Sequence, residues 1–322
     1  MQPSERSVSR RQALLSSGAA LCAGALPAAA EDKAAPGKLK VAIFSKHLLF
    51  LRGDALAAGA AEMGFDGIDL AVRKGGHVEP DRVRQELPKL VATIRQHGLE
   101  VPMLTTDIAD TESPYAEDIL RTMSELGIHH YRWGAFKYDA KRPMAQQLED
   151  LKPRVAKLAA LNSRYKASAM YHTHSGIGLV GASIWDLHIV LKDLDPQAVG
   201  VNYDIGHATI EGGLGGWINS FRITGAHLRG VAVKDFLWAK DAKGGWKAEW
   251  TPLGQGMAHL PQFFGMLAAA RFSGPLQLHF EYPIGGAESG KTSLTISKEE
   301  VAAVMKRDLQ QLRTLLKDAA LS

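Results

Sequence analysis

Val199-Gly200-Val201-Asn202-Tyr203-Asp204, followed by Ile205-Gly206-His207, reads as a strand that ends on a carboxylate and turns at a glycine. The apolar run fits a buried strand, Gly206 lets the backbone turn, and His207 falls in the loop beyond. The same layout recurs outward from this stretch. GFDGIDL (64–70) sets Asp69 near a strand end, and SAMYHTHSG (168–176) sets His172 and His174 there. VAVKDF (231–236) does the same with Lys234, and LQLHFEY (276–282) with His279 and Glu281. Side chains two apart on a strand share a face, so His172/His174, Asn202/Asp204 and His279/Glu281 each point one way. In a closed parallel barrel that direction is the barrel axis. A dry interior does not hold this many ionisable groups unless they are paired, hydrated or bound to a cation. The pattern predicts one polar site at the mouth of a (β/α)₈ TIM barrel.

The rest of the chain alternates in step with that reading. Strands are predicted over Leu39–Ser45, Gly67–Val72, Glu100–Thr105, His130–Ala135, Ala167–His172, Val199–Asp204, Gly230–Lys234 and Pro275–Glu281. Apolar residues at three- and four-residue spacing predict helices over Asp54–Met63, Arg82–His97, Tyr115–Leu126, Ala145–Leu161, Ile184–Leu194, Leu260–Ala270 and Lys298–Leu316. Gly64, Gly98 and Gly127 supply stop signals. Trp217–His227 is the weakest helix, and Ala239–Gly254 reads as a long connection. A doubly wound sheet is the competing architecture, but SKHLLFLRGD after the first strand carries no GxGxxG phosphate fingerprint.

The first thirty residues read as an export signal. Ser9-Arg10-Arg11-Gln12-Ala13-Leu14-Leu15 puts paired arginines before an Ala/Leu/Gly run, and Ala28-Ala29-Ala30 offers a cleavage site. This resembles a bacterial twin-arginine signal. It implies the twin-arginine (Tat) machinery as a partner and a periplasmic or otherwise exported protein. Residues 31–38 form a linker, and 39–322 a single barrel domain. The apolar run is too short and small-residued for a membrane span, so the mature chain is expected to have none. The one cysteine, Cys22, lies inside the signal, which leaves no disulfide or thiolate chemistry for the mature protein. With 46% hydrophobic and 22% charged residues and a net charge of +4, nothing argues for nucleic-acid binding.

Imidazole with carboxylate suits a divalent Mn, Zn, Co, Fe or Mg ion, and His172, Asp204 and Glu281 are the candidate ligands. Lys234 falls in phase with them, either to neutralise an enolate oxygen or to pair with Asp204 or Glu281. His207 is placed to contact substrate or relay a proton, or simply to cap the next helix, with Glu211 able to orient it. His77, in Lys74-Gly75-Gly76-His77, sits on a glycine-rich loop that presents the ring or is merely exposed. Arg132 and Arg73 are candidates for an anionic or polyhydroxyl substrate. Trp133, Trp185, Phe236 and Trp238 are candidates for stacking on a sugar ring, although Trp185, on a helix, suits the core. Asp69 and His174 complete the candidate substrate contacts. Gly285–Gly290 resembles a phosphate-binding loop, but Glu288 argues against an anion there.

These motifs resemble the xylose isomerase-like TIM-barrel superfamily, the sugar phosphate isomerase/epimerase group that also includes endonuclease IV. The resemblance rests on GFDGIDL (64–70), YHTHSG (171–176), YDIGHA (203–208), VKDF (233–236) and HFEY (279–282). It implies a divalent metal held by two Glu, an Asp, and a His two residues before a Lys-Asp pair. Asp204 and Glu281 match that set, and His172 takes the place of the first Glu. Ala232 replaces the expected His, so that His174, His207 or water completes the shell, or metal binding is weakened or lost. Asp69 stands where relatives carry a strand-end Glu.

The implied activity is metal-assisted isomerisation or epimerisation of a sugar or keto-sugar, with Glu281 as ligand and base and Lys234 or His207 as the electrophilic partner. The departure at 232 leaves two alternatives: a lyase or hydratase acting on an oxidised (3-keto) sugar, and a non-catalytic sugar-binding barrel that has lost its metal. An endonuclease IV-like phosphodiesterase is disfavoured by the weak charge, the export signal and the shortage of His ligands for a multi-zinc cluster.

Overall fold

A computed structural model of the chain describes residues 38–322. The expected export signal (1–30) and nearly all of the linker lie outside the described residues.

Eight parallel strands close on themselves. They are β1 (Val41–Phe44), β2 (Gly67–Val72), β3 (Glu100–Thr106), β4 (His130–Trp133), β5 (Ser168–His172), β6 (Val199–Asp204), β7 (Leu228–Val233) and, after a hairpin of β8 (Asp235–Lys240) and β9 (Trp246–Thr251), β10 (Leu276–Leu278). The barrel runs β1-β2-β3-β4-β5-β6-β7-β10 and shuts by pairing Val41, Ala42 and Ile43 of β1 with Leu276, Gln277 and Leu278. Nearly every residue of these strands is buried, as expected where helices cover one face and the barrel interior the other. The predicted (β/α)₈ TIM barrel is the observed fold.

The covering helices are α1 (Asp54–Met63), α2 (Val83–Gln96), α3 (Ala116–Glu125), α4 (Met144–Arg164), α5 (Ile184–Leu191), α6 (Ile205–Gly212), α7 (Gly216–Thr224), α8 (Leu260–Ala269) and α9 (Lys298–Asp318). Gly64 caps α1 at φ 89°, a left-handed conformation that costs a side-chain-bearing residue energy. Ser297 and Glu300 form a reciprocal capping box that starts α9.

Three expectations are corrected. The connection after the seventh strand is the antiparallel hairpin β8–β9, in which Phe236 pairs with Trp250 and Trp238 with Ala248. The loop expected at His207 does not exist: Asp204 itself is the N-cap of α6, accepting the His207 amide at 3.0 Å. Trp185, expected in the core, is 53% exposed.

Contacts between non-neighbouring strands identify the inward side chains. Asn202 on β6 donates to Gln277 Oε1 on β10 at 2.8 Å, reaching past β7. That passage is open because β7 carries Gly230 there; a Cβ would lie 2.7 Å from Met170 Sδ and 3.0 Å from Asn202 Oδ1. The period-two alternation therefore places polar groups on the axis, increasingly so towards the C-terminal strand ends.

Candidate active site at the barrel mouth

Asp204 organises the mouth. Because Oδ1 accepts the α6 amide, Oδ2 is left to face the axis, where His172 Nε2 lies at 3.3 Å and Lys234 Nζ at 3.1 Å. Thr173 Oγ1 accepts the Asp204 backbone amide and fixes the strand end. Lys234 also reaches His207 Nε2 at 2.8 Å and Glu281 Oε1 at 3.8 Å, and its ammonium stands 4.5 Å from the centre of the Trp250 ring. An ammonium only donates, so His207 Nε2 accepts, and its Nδ1–H donates to Ser175 Oγ at 2.8 Å. Ser175, not Glu211, orients this ring; Glu211 accepts the Gly176 amide instead. Gly206 makes room for the arrangement, since a Cβ there would come 2.9 Å from Lys234 Cγ and 3.1 Å from Trp250.

Burial and crowding by cations set the protonation. Burial raises the Asp204 carboxyl, but Lys234, His207 and the His207 amide together outweigh it and hold it below the ordinary carboxylate range. Burial, then Arg132, His174 and Lys234, drives His172 well below its usual value. Burial followed by Lys234 does the same to His207, and burial followed by His172 to His279. His174 falls to about 3, through burial and then Arg132. All four rings are neutral at pH 7.

A second group faces them. Asp69 accepts from Thr105 Oγ1 at 2.8 and 3.0 Å, and burial pushes its carboxyl up to about 7. Arg132 Nη2 lies 3.4 Å from His174 Nε2, while His174 Nδ1–H donates to the His172 carbonyl at 3.2 Å. Lys46, beyond β1, pairs with Glu281 at 3.5 Å. Lys46 and Arg73 both lie against Phe44, at 5.9 and 5.4 Å from its centre, and Phe44 packs on His279 at 5.1 Å.

Among the described residues, two sets of donors converge closely enough for one metal ion: His172, His174 and His207, and His172, Asp204 and His279, each with ligand atoms within 4.8 Å of one another. In the first set, the free lone pairs of His174 and His207 already face Arg132 and Lys234. The second fits better. His279 Nε2 is buried without a hydrogen-bond partner, and the buried Asp204 Oδ2 faces the same space, its one cation being Lys234 at 3.1 Å. His172 Nδ1 lies 3.2 Å from Asn202 Nδ2. Turning the Asn202 and Gln277 amides over together keeps their mutual bond and lets Asn202 Oδ1 accept Nδ1–H, which frees Nε2 as a ligand. The residues present fit a divalent ion held by His172, Asp204 and His279. Glu281 lies outside both sets, 27% exposed at the rim between its two lysines.

Several of the residues singled out from sequence sit apart: Trp133 and Phe236 are each 1% exposed and so closed to a sugar ring, and Trp185 lies on the outside of α5. His77 turns Nε2 to the Leu51 carbonyl at 3.3 Å, and burial lowers its ring to about 4. Trp238 is 40% exposed on the hairpin, edge-on to Phe236. Lys46, Ser175, Trp250 and His279 belong to the cluster and carried no assigned role in the sequence; His279 alone had a signal, sharing the phase of Glu281. Glu288 fills its own loop, accepting the Ile284 and Gly286 amides at 2.8 and 2.9 Å.

A parallel eightfold barrel with ionisable groups gathered at its C-terminal mouth defines an enzyme-type TIM barrel. The chain belongs to the xylose isomerase-like TIM barrel family, whose model matches residues 57–312. No curated protein matches it in sequence. Among solved structures it is similar to a D-tagatose 3-epimerase-like protein (TM-score 0.66, 13% identity, covering 88% of this chain and 98% of that one). It is also similar to the 3-keto-D-glucoside 4-epimerase of E. coli (0.59, 16%, 86% and 100%). A third is the D-allulose 3-epimerase of Methylomonas sp. in complex with D-allulose (0.59, 16%, 87% and 98%). At such identities the likeness establishes the fold.

Proposed function

We propose that this protein is a sugar isomerase or epimerase that moves a proton at a carbon beside a polarised carbonyl or hydroxyl group. The observation that carries this reading is the buried contact chain His172–Asp204–Lys234–His207, all within 3.3 Å, beside the accessible carboxylate of Glu281. The sugar epimerases among the structural neighbours support the same class.

Glu281 takes the proton from carbon, since it is the carboxylate of this group that reaches the rim, and Lys46 and Lys234 hold it in place. Lys234 commits donors to Asp204 and His207 and keeps one for an oxygen on which negative charge develops. His207, backed by Ser175, accepts from that ammonium and fixes its direction. Asp69, with its carboxyl near half-protonation at neutral pH, gives or accepts a hydrogen bond from a substrate hydroxyl. Arg132 and His174 bind beside it. Bound to His172, Asp204 and His279, a divalent ion would supply Lewis acidity to a substrate oxygen.

A test is solvent exchange: the purified protein, with Mn²⁺ and a ketohexose or 3-keto-glucoside in D₂O, is expected to put deuterium on the carbon next to the carbonyl. Glu281→Gln should cut kcat by about 10²–10⁴-fold, the usual range for a general base, with the melting temperature kept. Undiminished exchange in that variant would remove Glu281 from the chemistry. A lyase acting on a 3-keto sugar is the second reading, favoured by Ala232, which stands where the family pattern has a metal-ligating His; it would show as loss of water from such a substrate. We also propose export to the periplasm through the twin-arginine route, on the strength of Arg10-Arg11. Arg10→Lys/Arg11→Lys should then hold the protein in the cytoplasmic fraction, and unchanged fractionation would refute that route.

A further inference from the structure

We propose that the substrate is a sugar acid, its carboxylate received by Arg132 and Arg73 with Lys46 alongside. This rests on the barrel mouth being a carbohydrate site and adds the class of carbohydrate.

The charges facing the mouth do not balance. Lys46, Arg73, Arg132 and Lys234 converge there: Lys46 is repelled by Lys234 and Arg73, and Arg132 by Arg73. Against them stand three carboxyl groups, Asp69, Asp204 and Glu281. Asp204 and Glu281 are taken by the two lysines. Among the described residues neither Arg73 nor Arg132 has a carboxylate within ion-pair distance. The Arg132 fork is largely buried, yet its side chain has one polar contact, a neutral ring nitrogen at 3.4 Å. The Arg73 side chain makes no hydrogen bond and lies against Phe44.

Removing a guanidinium from water without a counter-ion is costly, and the cost is met when a ligand brings the missing charge. A neutral sugar satisfies N–H groups but not charge. A planar carboxylate also matches the fork of a guanidinium. The loop after β10 offers a phosphate no alternative seat, because Glu288 already occupies the Ile284 and Gly286 amides.

Calorimetric titration of the full chain with D-gluconate, D-glucuronate, D-fructose and D-fructose 6-phosphate tests this. At least one of the two acids should bind tenfold or more tighter than both other probes, and raising NaCl from 50 to 500 mM should shrink that margin. Arg132→Gln and the more accessible Arg73→Gln, each checked by melting temperature, should each reduce the margin at least fivefold. The proposal is overturned if D-fructose or its phosphate binds as tightly as the better acid, if no probe binds, or if both variants keep the preference. Proton exchange is scored separately. Acid-selective binding without exchange would sink the isomerase reading and leave this one standing; exchange on D-fructose with no preference for acids would do the reverse.

Discussion

Asp69 is the carboxyl whose environment makes the sharpest prediction. Burial raises it from an ordinary 3.8 to about 7, against the hydrogen bond from Thr105 and the pull of Arg132 and Arg73. A raised carboxyl keeps its proton in the folded chain at pH values where the unfolded chain has lost it. Its stabilising contribution is therefore full below pH 4 and drains away as pH climbs through 7. Asp69→Asn removes that titration. The variant should match the native protein in denaturant melts near pH 4 and be the more stable at pH 8, by on the order of 4 kcal/mol at most. A difference independent of pH would show that Asp69 does not titrate in this window. The residues of this site were legible as types and phases, while their partners were not. His279 and Glu281 share parity in the sequence, but β10 stops at Leu278. Past that point the Phe280 amide donates to His47 Nε2 instead of to a strand, so the alternation no longer governs direction. His279 stays on the axis and Glu281 moves to the rim.

Among elements, the β8–β9 hairpin matters most, because it brings Trp250 over Lys234. Asp235 clamps its base: Oδ1 accepts the Phe236 and Ala258 amides, and Oδ2 those of Gly254 and Gly256, at 2.9–3.0 Å. Asp235→Ala leaves the buried Phe236 amide and three less buried ones without this acceptor, and should cost about 1–3 kcal/mol in chemical denaturation. A loss below about 1 kcal/mol would mean that water replaces the carboxylate. The Lys-Asp pair thus divides its labour, Lys234 facing the mouth and Asp235 the hairpin. The hairpin escaped sequence reading because Ala239–Gly254 is polar, and its apolar residues are spaced for a ladder with one face in solvent. With no strands assigned, no parity singled out Trp250 over Trp238. Helix α6 was missed for a related reason, its first turn being spelled Ile-Gly-His, with a glycine that helices normally avoid.

At the level of the whole molecule, the barrel was readable because eight strands and their helices repeat one grammar, and glycine caps such as Gly64 mark the helix ends. A ligand that binds only the folded chain raises its melting point. Mn²⁺ or Zn²⁺ at a hundredfold excess over its dissociation constant should stabilise the protein by about 2.7 kcal/mol. His279→Ala should abolish that rise. Lys234→Gln, by removing a positive charge 3.1 Å from Asp204 Oδ2, should enlarge it. Melting curves that ignore the ions in both the native protein and Lys234→Gln would remove the metal from the account. No helix among the described residues is long and apolar enough to cross a membrane.

The bare Cα of Gly206 lies against the stem of Lys234. One methyl group at that spot would collide with the lysine and with the indole roofing it, so these two positions cannot drift independently through evolution. In a gathered set of homologous sequences, branches that trade this glycine for a bulkier residue should also have surrendered the lysine, leaving a paired scar from which loss of the ancestral chemistry can be dated.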